Sequence, residues 1–476
     1  MKRLYIISLL LIFSGGSFAQ TAAVYDLAKC VEVAIENNLS VKRSLLQKEG
    51  AGVNLRQTRA SQLPSVNFGG NYGYNWGRSI DPTTNQFITQ QINFSGLNGN
   101  ANVVLFNWFR LANNVKQNRL LFESSTYDVE KAKNDLSLNI VTFYLNVIFN
   151  QELLETAEYQ LESSKEQLDR TKKLVAAGAL PITSELELTS QVASNEVALI
   201  NAQNTLDLAF LNLKQAMMLP ASEDIDIVVP DIDVIEDLVA LVNPNDIYAT
   251  ALMTMPEIKS AQLQVQSASL AVEVAKADFT PTLSLNAGFN TNYSNAFGQQ
   301  FVANPAADPI PFDTDLETQS GETVFGFRQP GTLNDYTLGE QFSDNLSRSV
   351  SLSLSIPVFN GLRANSNVQR SKIAMQQAEI TVSEQKNQLR QIIELAYNDA
   401  QAAAKTFDAS NRQVEALEET FRSIENQYNL GAVNFTDYQV ASNNLFGAKS
   451  DLVRAKFDFI FRKKILDFYM GNPITL

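Results

Sequence analysis

The chain has 476 residues, a formal net charge of −14, no histidine and one cysteine. That length exceeds one ordinary domain. The missing His and lone Cys exclude histidine general bases, disulfides within the chain and Cys/His metal sites, so no catalytic set, metal or cofactor is expected. The acidic balance argues against nucleic acid as a partner.

Residues 1–19 read as a secretory signal peptide. Lys2 and Arg3 precede an apolar core from Leu4 to Phe13, and Ser17-Phe18-Ala19 offers small residues before a cut at Gln20. Beyond it no apolar run is long enough for a transmembrane helix. Cys30 follows Lys29, the wrong neighbour for a lipid-modified cysteine, and is expected to pack inside a helix.

A first structural repeat spans 20–220. Leu27, Val31, Ala34 and Ile35 share one helical face, and a second helix runs from about Ser40 to Gln62, stopped by Pro64. The period then changes to two. Val66, Phe68, Tyr72, Tyr74 and Trp76 alternate with Asn67, Gly69, Asn71, Gly73 and Asn75, predicting a strand over about 64–77. Asp81-Pro82 signals a turn. A second strand is predicted over 97–106, with Leu97, Ala101, Val103 and Leu105 set against Asn98, Asn100 and Asn102. A helical hairpin then fills 107–219. Asn107 to Ala177 holds no Pro or Gly, and some 70 helical residues span roughly 105 Å. Val147, Leu154, Leu161, Leu168 and Val175 repeat every seven residues, which indicates coiled-coil packing. Gly178 and Pro181 break the hairpin at its tip, Gly as a helix C-cap and Pro as a helix start.

The pattern restarts after an acidic linker over 221–243. Pro64 and Pro281 lie 217 apart, as do Val41 and Ile258; Phe106-Asn107 and Phe359-Asn360 lie 253 apart, as do Gly178 and Gly431 and Pro220 and Pro473. Two constant offsets indicate an internal duplication. The second repeat, 244–476, therefore carries strands at about 281–293 and 347–359 and a hairpin over 360–470. The 36-residue difference between the offsets is an insertion, placed in a long external loop at 295–344 that is rich in Asn, Asp, Gly and Pro.

Each strand pairs an apolar, aromatic-ended face with an Asn, Ser and Gly face, as lipid-facing and lumen-facing residues do in a membrane barrel. The lipid-facing set is Phe68, Tyr72, Tyr74, Trp76, Leu283, Leu285, Leu352 and Leu354. A soluble sandwich alternates too and is the alternative. Four strands cannot close a barrel, and open edges in hydrocarbon are costly, so the chain must assemble.

Over nearly the whole mature chain these residues resemble the TolC family of outer-membrane efflux proteins. The duplicated plan, the strand starts Leu63-Pro64-Ser65 and Thr280-Pro281-Thr282, the helix starts at Phe106-Asn107 and Phe359-Asn360, and the tip residues carry the likeness. The run Gly77 to Pro82 resembles Bacteroidetes members. The resemblance implies an α+β membrane protein, a homotrimer with a 12-stranded barrel in outer-membrane lipid and a 12-helix periplasmic α-barrel. It implies an export duct, not an enzyme, that receives substrates from an inner-membrane pump of RND or ABC type through a periplasmic adaptor. The adaptor would dock on Gly178, Ala179, Leu180, Gly431, Ala432 and Val433. A periplasmic gate would involve Gln167, bonded to Glu425, with Tyr428, Ser184 and Asp437. Ser184 stands where the family has an Asp, Val433 where it has a bridging Arg, and Val440 where it has a second constriction Asp. Asp437 has two readings: a constriction carboxylate, or a charge suited to a helix N-terminus. A structural or adhesive surface protein using the 295–344 loop is the alternative function.

Overall fold

The computed structural model describes residues 23–80, 85–89, 91–229 and 242–472. The signal peptide, the Asp81-Pro82 turn and most of the 221–243 linker lie outside them. The chain opens with β1 (Ala23–Tyr25), α1 (Leu27–Asn37) and α2 (Leu39–Ala60). Strands β2 (Ser65–Asn75), β3 (Arg78–Ile80), β4 (Phe87–Thr89) and β5 (Ile92–Phe106) follow, then α3 (Arg110–Ala176), α4 (Ile182–Ala216) and β6 (Ile225–Ile227). The second half has α5 (Pro244–Thr254), α6 (Pro256–Lys276) and β7 (Thr282–Ser294). An inserted arm holds β8 (Gln299–Ala303), β9 (Ile310–Glu317), β10 (Thr323–Arg328), β11 (Gly331–Asp335) and α7 (Leu338–Asp344). Strand β12 (Ser347–Ser355) and helices α8 (Arg363–Asn429) and α9 (Phe435–Tyr469) complete it.

The two halves match element by element. Helices α3 and α8 are both 67 residues long, and α4 and α9 are both 35. Each long helix follows a sharp corner with two consecutive left-handed residues, Trp108 and Phe109 in one copy, Gly361 and Leu362 in the other. Asn107 and Asn360 cap these corners identically, each side chain accepting from the backbone N–H four residues on at 3.4 Å. Left-handed backbone costs a non-glycine residue ~1–2 kcal/mol, so the first copy stores strain that Gly361 relieves in the second.

The chain divides into two compact units. One, Gly52–Arg119 with Gln266–Gln376, holds a four-stranded antiparallel sheet in the order β12-β7-β5-β2, besides three two-stranded ladders. Its register sets Phe106, Leu283 and Leu354 in one row, and Val103, Leu285 and Leu352 in the next. On the other face Asn102 donates to Asn286, whose amide donates to Ser353. Phe68 is 77% exposed, Trp76 73%, and Leu352 and Leu354 62% each. No second sheet covers them among the described residues, which overturns the sandwich alternative.

Three sequence expectations shift here. Strand β5 begins at Ile92, not 97, and its register slips between Val104 and Phe106, so Phe106 rather than Leu105 opposes Leu283. A β-bulge of this kind inverts the alternation, which a period-two reading cannot see. Strand β12 ends at Ser355, short of 359, because Pro357 cannot donate to the ladder. The 295–344 insertion is an ordered arm rather than an irregular loop: β8 pairs with β11 and β9 with β10, turning at Thr318–Glu322.

The other unit, the rest of the described chain, is helical and holds two cores built from equivalent positions. Cys30, Ala34 and Val41 pack with Leu136, Ile140, Val147 and Leu213. Shifted by the same offsets, Ile247, Ala251 and Ile258 pack with Leu389, Ile393, Ala400 and Leu466. Truncating one such aliphatic to Ala costs ~2–5 kcal/mol. The short strands β1 and β6 pair in parallel beside the first core, and the buried Tyr144 hydroxyl donates to the Val228 carbonyl at 2.5 Å. Burial raises that phenol's pKa and pushes the Cys30 thiol up to about 12. No described helix is long and apolar enough to cross a membrane.

Candidate functional site

The two hairpin tips have the same backbone. Gly178 and Gly431 both sit at φ +75°. At the first, the Gly178 N–H donates to Val175 and Ala179 to Leu174; at the second, Gly431 donates to Tyr428 and Ala432 to Gln427. This paired bonding satisfies helix-end carbonyls and needs a left-handed residue, which Gly supplies without a Cβ penalty. Gly178, Ala179, Gly431 and Ala432 are exposed, and Leu180 and Val433 are half-buried. Leu430 stands out at 84% exposure.

Their side chains differ. Helix α4 starts at Pro181 with no side-chain cap, whereas α9 starts at Asn434, whose Oδ1 accepts from the Asp437 N–H at 2.8 Å. Asp437 is exposed in the first turn of α9, a position where a helix dipole favours a carboxylate. Behind it Tyr438 is buried at 5% exposure and stacks on Tyr428 with centroids 5.0 Å apart. Phe421 and Phe435 flank Tyr438 at 5.5 and 6.4 Å. Burial, with the Glu425 carboxylate nearby, raises the Tyr438 phenol to about 12. Equivalent positions of the first tip hold Leu168, Val175, Ile182 and Glu185, with no aromatic ring among them.

Between the hairpins Tyr159 of α3 meets Phe446 of α9 with ring centroids 5.9 Å apart, and polar groups lie nearer the tips. Gln167 is 6% exposed and its Nε2 has no hydrogen-bond partner, so the implied bond to Glu425 is not formed within the chain. The buried Thr171 Oγ1 and Tyr428 hydroxyl are also unpartnered. Gln167, Gln191, Asn195 and Tyr438 line a void of about 10 Å³. Ser184, the counterpart of Asp437, is buried at the start of α4. The direct polar tie is one that the sequence reading missed: Arg170 Nη1 donates to Asn429 Oδ1 at 2.7 Å, joining α3 to the last residue of α8. The aromatic cluster was missed as well. Its signal was present: Phe421, Tyr428 and Phe435 are seven apart straight through the Gly431 turn. Among the described residues no group of His, Cys, Asp and Glu is arranged to hold a metal ion.

A duplicated chain with an uncovered four-stranded sheet and two long helical hairpins has the architecture of an outer-membrane channel subunit. It superposes on the crystallised CusC channel with a TM-score of 0.72 at 18% identity, covering 96% of each chain. Against VceC of Vibrio cholerae the TM-score is 0.71 at 16% identity, over 94% of this chain and 96% of that one. Among curated relatives, outer membrane protein TolC of Escherichia coli K12 is 22% identical over 99% of this chain and 87% of its own length. Cation efflux system protein CusC of Escherichia coli O157:H7 is 21% identical over 89% of this chain and 81% of its own length. The family model described as "Outer membrane efflux protein" matches residues 30–217 and 247–471. The chain belongs to the outer membrane efflux protein family, and its place is the outer membrane.

Proposed function

We propose that this chain is one third of an export duct. Three copies supply twelve strands to an outer-membrane barrel and twelve helical staves to a periplasmic tube. The duct conducts passively what an inner-membrane pump of RND or ABC type delivers through a periplasmic adaptor. The observation that carries the reading is the sheet: its apolar face is uncovered, and its edge strands β2 and β12 have no further neighbour among the described residues. Such a sheet is stable in lipid only when other copies close its edges.

The tips are then the periplasmic end. Gly178, Ala179, Leu180, Gly431, Ala432 and Val433 form the adaptor surface, with exposed Leu430 and Ile182 beside them. Gln167, Glu425, Tyr428, Ser184 and Asp437 belong to the gate, where three copies of Asp437 bring three carboxylates to the axis. The gate is weakly latched, since Val433 offers no cation and Gln167 and Tyr428 leave polar atoms unbonded. Within one chain Arg170–Asn429 and the Tyr438 cluster hold the second hairpin.

The test is export by Gly178→Trp with Gly431→Trp. Loss of export with outer-membrane oligomers retained is expected; undiminished export removes the docking assignment. A surface-adhesion reading draws on the arm, where Phe325 and Phe327 are 59% and 70% exposed. Deleting residues 299–335 separates the two: the duct reading expects intact efflux, and the adhesion reading expects lost attachment.

A further inference from the structure

The seam between the two repeats is a template for the seam between copies. Strand β5, the second of its repeat, pairs antiparallel with β7, the first of the next. The free edges of the sheet are strands of the same kinds: β12 is the second of its repeat and β2 the first. The offsets of 217 and 253 hold to the residue in the folded sheet. Shifted by them, the pair Gly69–Asn98 of the β2–β5 hairpin becomes Asn286–Ser351, which is the pair found in β7–β12. Applied to the β5–β7 seam, the same shifts turn Ala101–Ala287 into Leu354–Gly70 and Gly99–Phe289 into Leu352–Tyr72. Leu97–Thr291 becomes Val350–Tyr74, and Ser95–Tyr293 becomes Arg348–Trp76.

We propose that β12 joins β2 of the next copy in this register, and that Arg348 lies over the Trp76 ring of that copy. The proposal rests on the reading of the chain as one of the copies that close a barrel, and it names the residues that meet. Arg348 is the one charged residue of β2, β5, β7 and β12. A register one residue away would set an apolar row against a polar one; here every pair joins apolar face to apolar face. The side chains are complementary as well. Tyr72, Tyr74 and Trp76 form an exposed ladder along the β2 edge, with successive centroids 5.4 and 5.9 Å apart. Leu352 and Val350 are exposed along the β12 edge, and aromatic rings favour β-branched and aliphatic neighbours across strands. Arg348 continues the aliphatic row and Trp76 ends the aromatic one, so the same register brings the guanidinium to an indole, the ring that attracts a cation best. Pairing extends β2 by one residue to reach Trp76. Registers two residues away keep the faces matched but fit worse. One sets Arg348 against Arg78, like charges that repel; the other leaves Trp76 beyond the first residue of β12, Ser347. At the internal seam Ser95 and Tyr293 hold this place without a charge, so the cation and indole mark the edges that join copies.

The test is disulfide trapping of the full chain in outer membranes, where the buried Cys30 does not compete. Directly opposed residues lie about 4.5–5.5 Å apart at Cα, within disulfide reach. Tyr72→Cys with Leu352→Cys should give covalent oligomers on oxidation. Leu352→Cys with Gly70→Cys or Tyr74→Cys, each a slip of two residues, should give far fewer. The rate at which detergent-extracted oligomers dissociate reads the Arg348 contact. Arg348→Gln and Trp76→Leu should each speed it about threefold, the double variant should be no faster than the faster single one, and Arg348→Lys should stay near the wild type. Trapping by a slipped pair in place of Tyr72 with Leu352 overturns the register. Additive effects of Arg348→Gln and Trp76→Leu overturn the cation–ring contact. Oligomers that conduct but are trapped by none of these pairs overturn the seam and leave the duct reading standing. A chain that stays monomeric in the outer membrane removes the duct reading and the seam with it.

Discussion

The two hairpin tips share a backbone and differ in what they pack. Gly178 and Gly431 have the same φ and the same paired bonds to the preceding helix. Only the second tip has a side-chain cap, from Asn434, and a ring cluster around Tyr438. Duplication preserved the turn and let the side chains diverge. The turn is therefore a matter of folding, common to both copies, while the side-chain cap and the ring cluster belong to the second.

The largest expected effect follows from that division. Tyr438→Ala removes a buried ring that touches three others and should cost ~3–5 kcal/mol locally. Glu185→Ala, its first-tip counterpart, should change stability by less than about 0.5 kcal/mol. Hydrogen exchange of the α8–α9 and α3–α4 amides reads both. Next come Gly178→Val and Gly431→Val, each expected to cost ~1–2 kcal/mol because a β-branched residue resists positive φ. The shared backbone calls for equal values at the two tips; a large inequality breaks the comparison. Asn434→Ala should cost ~1 kcal/mol as a lost N-cap, with no equivalent loss available at Pro181. Tyr428→Phe should be near neutral or stabilising, since its buried hydroxyl has no partner.

The pH dependence of the second tip has a definite sign. Its fold raises the Tyr438 phenol from an ordinary value of about 10 to about 12, mainly by burial. A raised pKa means that the neutral form is favoured, so the contribution is intact below about 10 and lost as pH climbs through about 12. Exchange protection in the first turns of α9 should fall over that window, and Tyr438→Phe should reduce the fall there, while Tyr469, raised to about 12 by burial at the far end of α9, keeps its own.

Much of this molecule could be read from residue spacing. The offsets of 217 and 253 exposed the duplication, and the same offsets relate its two cores, Cys30 to Ile247 and Ile140 to Ile393. Period-two alternation located the four sheet strands, because successive side chains of a strand point to opposite faces, one apolar and one polar here. The β5 slip at Val104–Phe106 escaped because a bulge depends on the partner strand. The arm's ladders escaped because turn residues suggested an irregular loop, and β8 meets β11 only across a long sequence gap. In the candidate site, turn glycines were legible because a positive φ restricts residue type. The Arg170–Asn429 tie was not, since its two residues are 259 apart and nothing local marks the pair.

Single-channel conductance in a planar bilayer tests most directly the proposal that the Tyr438 cluster of the second tip holds the gate closed. The wild type should insert as a channel that gates readily. Tyr438→Ala should raise its open probability severalfold, and Glu185→Ala should leave it unchanged. Equal responses to the two substitutions, or a firmly closed wild type that neither one moves, would contradict the account.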